Sequence, residues 1–74
     1  MSKADDCFNE IVALVEREDA NAVERARDTA NAYLVGFGLA QAATERASLV
    51  ARLEAKGPNT SLMKRVIAAV EAGA

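Results

Sequence analysis

Apolar residues return at helical spacing along most of the chain. Phe8, Ile11, Val12 and Val15 recur every three or four positions, the pattern of an amphipathic helix with one buried face. Ser2 stands just ahead of them with Asp5 three residues on, a spacing in which the hydroxyl caps the first turn, so a helix is expected over 3–18. The stripe fades at Glu18 and Asp19. Asp19 or Asn21 can cap a second helix, and Asn21-Ala22-Val23-Glu24 has the spacing of a capping box with asparagine in the cap role.

From there to Lys56 the chain holds no proline and no cluster of turn residues except Gly36-Phe37-Gly38. The expectation is therefore one long helix over 21–56, with the glycine pair as the place where it would bend. Gly57-Pro58-Asn59 ends it, because glycine suits the left-handed residue after a helix and proline cannot continue one. Asn59 or Thr60 then caps a helix over 60–72 whose apolar side is Leu62, Met63, Val66, Ile67 and Val70. No stretch alternates apolar and polar residues as a half-buried strand requires. The predicted fold is all-α over 1–74: a long central helix with shorter N- and C-terminal helices, as a helical hairpin or three-helix bundle.

Length constrains assembly. A helix over 21–56 would be roughly 50 Å long, whereas a compact chain of this size has a radius of gyration of about 11 Å. Either the glycine pair folds the helix in two and gives a compact four-helix monomer, or the long helix pairs with another chain. Pairing is the reading favoured by the sequence, as a homodimer or as an obligate complex with another helical protein.

The segment from Thr29 to Thr44 runs sixteen residues without a charge. Tyr33, Leu34, Val35, Phe37 and Leu39 fall on several sides of it, so it needs burial all round. A membrane span needs roughly 20 apolar residues; this run is shorter, includes Asn31 and Gln41, and is closely flanked by Arg25, Arg27, Asp28, Glu45 and Arg46. No membrane association is expected. The alternatives are the core of a monomer or a partner interface. Small residues recur every fourth position, first Ala32, Gly36 and Ala40, then Ala43, Ala47, Ala51 and Ala55, rows on which another backbone can approach closely. Tyr33 and Phe37 lie four apart and can form one aromatic anchor. The expected contact face is built around Tyr33, Gly36, Phe37 and Ala40, with Arg25, Arg27, Arg46 and Arg52 on its rim setting orientation. Were Tyr33 through Leu39 wrapped by their own chain, the binding argument would reduce to a description of the core.

Composition narrows the chemistry. The 74 residues include one cysteine and no histidine, so no intrachain disulfide forms and no usual zinc or haem ligand set can be assembled. Cys7 beside Phe8 reads as a small buried hydrophobe. Asp5/Asp6 and Glu18/Asp19 sit at expected helix starts, where acids complement the dipole, and neither a calcium loop nor a phosphate-cradling glycine loop is present. The expectation is a protein that is not an enzyme and takes no cofactor or metal. Nothing at the N-terminus resembles an export signal, so a cytoplasmic location is expected. The net charge of −2 conceals an asymmetry. Asp5, Asp6, Glu10, Glu16, Glu18 and Asp19 crowd the first segment, which could dock on a mildly basic remainder.

Leu49 through Gly73, a helix, a turn containing Gly57 and a second helix carrying Lys64 and Arg65, resembles the helix-turn-helix half of some bacterial regulators. The likeness covers about a third of the chain. It departs from the family at Leu53, where a small residue usually stands four positions before the turn glycine. The resemblance implies DNA binding through Lys64 and Arg65, but two cations in an acidic chain neutralise few phosphates, so little nucleic-acid affinity is expected. The leading expectation is a non-catalytic helical protein that acts by covering a partner's surface, as an inhibitor, adaptor or secretion-type chaperone does.

Overall fold

Ser2 Oγ accepts a hydrogen bond from the Asp5 amide at 3.1 Å, and α1 runs from this cap over Lys3–Glu16 with Asp5 and Asp6 in its first turn. The computed structural model describes residues 2–74, and these form four α-helices with no strand among them. At the end of α1 the chain turns through Glu18, whose φ is +50°. The Glu18 amide donates to Val15 O and the Asp19 amide to Leu14 O, both at 3.1 Å, the paired closure in which a left-handed residue satisfies the last carbonyls of a helix. Asp19 then launches α2 (Ala22–Leu34). Its Oδ1 accepts from the Asn21 amide at 2.8 Å, while Asn21 itself occupies the cap position without a capping side-chain bond.

The helix expected over 21–56 is two helices. The first, α2, stops at Leu34 and α3 covers Leu39–Lys56, with Gly38 extended at φ −67°, ψ 163°. The physical reason is cumulative. Two glycines within three residues each cost roughly 1 kcal/mol of helix propensity, and folding back there lets Leu34, Leu49, Val50 and Leu53 all be buried. The molecule measures 32 × 27 × 20 Å with a radius of gyration of 11.2 Å, too short in every direction for a straight helix of that length. Gly57, at φ +61°, ends α3, and α4 (Ser61–Ala72) starts with Thr60 Oγ1 accepting from the Met63 amide at 3.1 Å. Gly73, at φ +70°, closes α4.

The centre of the packing is α2, which lies against both α1 and α4. Its buried face is Ala22, Ala26 and Ala30, with Leu34 at the end. The large core side chains come from the other helices: Ile11 and Leu14 from α1, Leu53 from α3, and Met63, Val66 and Val70 from α4. Phe8, Leu62 and Ile67 are only half-buried against this cluster. The acidic first segment does meet basic residues of α3 on the surface: Arg52 lies 3.1 Å from Asp5 and Lys56 3.8 Å from Glu16. Exposed pairs of this kind each contribute about 0–1 kcal/mol.

Two outcomes follow. Ala26→Leu forces bulk between helices already in contact and is expected to lower the unfolding free energy by about 1–3 kcal/mol or more; Ala47→Leu, on the exposed side of α3, should change it by less than about 0.5 kcal/mol in the same urea titration. The Asn21 amide, and then Arg25 and Arg17, hold the Asp19 carboxyl below its ordinary value against a smaller opposing effect of desolvation. A depressed folded-state pKa gives stability that is present above the unfolded value and lost as pH falls through the folded one. Asp19→Asn should therefore melt lower than the native chain at pH 7, and the difference should close below about pH 4.

Candidate protein-binding surface

Where α2 gives way to α3, Leu34 is buried and Tyr33 and Phe37 are half-buried, but Val35 and Leu39 are 83% and 94% exposed. The chain therefore does not wrap its own neutral segment. Tyr33 and Phe37 are brought together as expected, their rings meeting edge-to-face at 5.3 Å between centroids. Their role is internal to the corner: the Tyr33 hydroxyl donates to Glu45 Oε1 at 3.0 Å and ties α2 to α3. Desolvation first, then the Glu45 carboxylate, raises the phenol pKa above its ordinary value. Gly36 lines a shallow groove with Tyr33, and Ala40 is exposed in the first turn of α3.

The arginines do not form a rim around it. Arg25 lies at the far end of α2, its Nη1 2.7 Å from Asp19 Oδ2, and Arg27 pairs with its neighbour Asp28 at 3.1 Å. Arg46 donates from Nη1 to Val70 O at 2.7 Å, placing a cation on the carbonyl end of α4, where the helix dipole favours it. Its guanidinium lies so close over Gly73 that a Cβ there would stand 2.8–3.0 Å from it. Asn31 completes this clasp, its Nδ2 donating to Gly73 O at 3.0 Å while its Oδ1 is buried without a partner. Arg52 bridges α3 to α1, paired with Asp5 and stacked 4.2 Å from the centroid of the Phe8 ring. Arg25 and Arg46 thus fix a turn and a helix end, and Arg27 pairs within α2; only Arg52 lies near the Tyr33 corner, the two lining one small crevice.

The rows of small residues divide in an unexpected way. Ala32, Gly36 and Ala40 are exposed, and so are Ala43, Ala47, Ala51 and Ala55. The seam that is packed, Ala22-Ala26-Ala30, has the same spacing. Together with Thr44 and Ser48, the exposed alanines give the outer side of α3 an uncharged surface over most of its length. Val35 and Leu39, beside the start of α3, were expected to be buried with the rest of the neutral run and were not counted in the contact face; both are exposed. Their signal was present: two large aliphatics immediately flanking the glycine pair in a run with no charges.

Cys7 is buried in the wall of a shallow groove between α1 and α2, its Sγ 3.9 Å from Thr29 O. Burial, and next the Glu10 carboxylate, push its pKa up to about 11, so it is a protonated thiol at neutral pH rather than a nucleophile. Among the described residues no group of three or more side chains is placed to hold a metal ion. No helix is long and apolar enough to cross a membrane. Lys64 and Arg65 are exposed on the outer side of α4 and make no ion pair among the described residues.

No protein-family model matches the chain, and comparison with curated proteins and with solved structures finds no match either.

The altered role of Arg46 has a measurable consequence. Arg46→Ala removes the charge-assisted bond to Val70 O, and unfolding in urea should show a loss of about 1–2 kcal/mol. An unchanged midpoint would return Arg46 to the role of a surface residue.

Proposed function

We propose that this chain is a non-catalytic protein-binding module, acting in the cytoplasm by covering a partner's surface with the α2–α3 corner and the outer side of α3. The single observation that carries the reading is the exposure of Val35 and Leu39 at the head of an uncharged helix face. Isolated exposed aliphatics are ordinary on a protein surface, whereas a contiguous apolar patch is characteristic of an interaction site. Here Val35 and Leu39 adjoin Gly36, Ala40 and Ala43 with no charged residue between them in sequence, and the aromatic pair behind them is held by the Glu45 bond. A rigid apolar corner of this kind docks with little loss of conformational entropy. Inhibitor, adaptor and chaperone all use a surface in this way.

The rival reading, a DNA-binding regulator, has in its favour the free exposure of Lys64 and Arg65. Two cations support only about two phosphate contacts, and Glu71 lies on the same outer side of α4.

The test is capture of partners by chemical cross-linking in cells, comparing the native chain with a Val35→Asp, Leu39→Asp double variant and with Lys64→Ala, Arg65→Ala. Because Val35 and Leu39 are exposed, the aspartate pair should leave the thermal midpoint nearly unchanged while lowering capture about tenfold or more. The α4 variant should capture as the native chain does. Equal capture by the aspartate variant would overturn the proposal, and loss on the α4 substitutions alone would favour the DNA reading.

A further inference from the structure

Resting on the binding role just described, we infer that the shallow groove between α1 and α2 receives an amphipathic helix of the partner protein, one that carries lysines or arginines four positions apart along the edge of its apolar stripe. Asp6, Cys7 and Glu10 line the groove from α1, and Thr29, Ala32 and Val35 from α2. Its floor is closed, because the Cys7 thiol lies 3.9 Å from Thr29 O. Ala32 is small and exposed, and Val35, 83% exposed, adds apolar surface at the end of α2. A groove between two packed helices, apolar along its length, is the shape that takes a third helix by its apolar face.

Charge selects which helix. At about 3.6 residues per turn, Asp5 and Glu16 fall on one flank of α1 and Asp6 and Glu10 on the other. The first pair is met within the chain: Arg52 lies 3.1 Å from Asp5 and Lys56 3.8 Å from Glu16, two cations four positions apart on a helix whose Leu49 and Leu53 are buried. The third helix is thus the chain's own example of what covers α1, an apolar stripe turned inward with cations along its edge. The second pair is unmet. Asp6 and Glu10 are exposed and make no ion pair among the described residues. Being four apart, they stand roughly 5–6 Å from one another, the spacing of two cations one turn apart on an incoming helix. The Glu10 carboxylate is felt at the floor, where, after burial, it raises the Cys7 pKa. Lys3 is the one cation lining the groove, and the two acids outnumber it. An uncharged or acidic helix laid there would desolvate both carboxylates without a counterion, at a cost; a cationic edge turns the same carboxylates into attraction and register.

The probe is a synthetic helical peptide of about 18 residues, with leucines at three- and four-residue spacing and lysines four apart beside them; its control has glutamates in place of the lysines. Amide NMR spectra of the nitrogen-labelled chain are followed as each peptide is added. The lysine peptide should shift Cys7, Glu10, Ala32 and Val35, and bind more weakly as salt rises. Asp6→Asn with Glu10→Gln should lower its affinity about tenfold or more, and so should Ala32→Lys, an exposed position where the thermal midpoint should not move. Glu24→Gln with Glu54→Gln, exposed acids elsewhere, should bind as the native chain does. A lysine peptide that fails to bind, shifts other residues, or binds the Asp6→Asn, Glu10→Gln chain equally well overturns the inference, as does equal binding of the glutamate peptide. Shifts at the same amides on concentrating the chain alone would give the groove to a second copy and also overturn it. In cells, if Asp6→Asn with Glu10→Gln captures partners normally while Val35→Asp with Leu39→Asp does not, the groove is excluded and the binding role stands; if neither affects capture, both fall.

Discussion

Ala22, Ala26 and Ala30 leave α2 with almost no side-chain bulk on the side where α1 and α4 both lie against it, and the rest of the structure depends on that closeness. With short side chains on the central helix, the space is filled from outside by Ile11, Leu14, Met63, Val66 and Val70, all buried. A core made this way joins three helices through one thin element. It also explains how so short a chain reaches full burial of several large residues with no disulfide to help it: alanine contributes little side-chain entropy to be lost on folding, and it favours the helix from the start. The fourth helix, α3, gains less from this arrangement. Leu49, Val50 and Leu53 in its second half are buried, while its first half extends past them with only partial cover.

Charged side chains do most of their work at the ends of elements. Asp19 gathers the Asn21 amide and Arg25 at the α1–α2 turn, Arg46 and Asn31 hold the last carbonyls of α4, and Arg52 spans from α3 to α1. Arg25 and Arg46 are thereby held away from the α2–α3 corner. The apolar character of that surface is thus the complement of the internal electrostatics: the groups that might have solvated it are committed elsewhere.

Helix ends were legible in the sequence because capping is local. Ser2, Thr60 and Gly57 each act on residues within one turn of themselves, so their type and position suffice. The break between Leu34 and Leu39 was legible only in part: the glycine pair marked where the helix could fold in two, not that it does. Helical periodicity continues on both sides of it, and neither Gly36 nor Gly38 takes the positive φ that would mark a stop; the chain divides there because separate burial of Leu34 and Leu49 outweighs continuity. The alanine rows show the same limit. Spacing is identical in 22/26/30 and 43/47/51/55, and only the tertiary arrangement decides that the first is core and the second surface. Arg46 was assigned to an interface rim because its partner Val70 is 24 residues away, a pairing no local pattern reveals. The contact of Tyr33 with Phe37 was readable, since four residues of spacing suffice to bring the two rings together.

The chain holds one tyrosine and no tryptophan, and that tyrosine is the one whose hydroxyl donates to Glu45. A phenol hydrogen-bonded to a carboxylate emits weakly, because the excited ring passes its proton to the acceptor. Excited at wavelengths beyond phenylalanine absorption, the protein therefore emits only from the junction between its second and third helices. Breaking that hydrogen bond on unfolding would brighten the emission, so the integrity of the junction is visible in solution without any added dye.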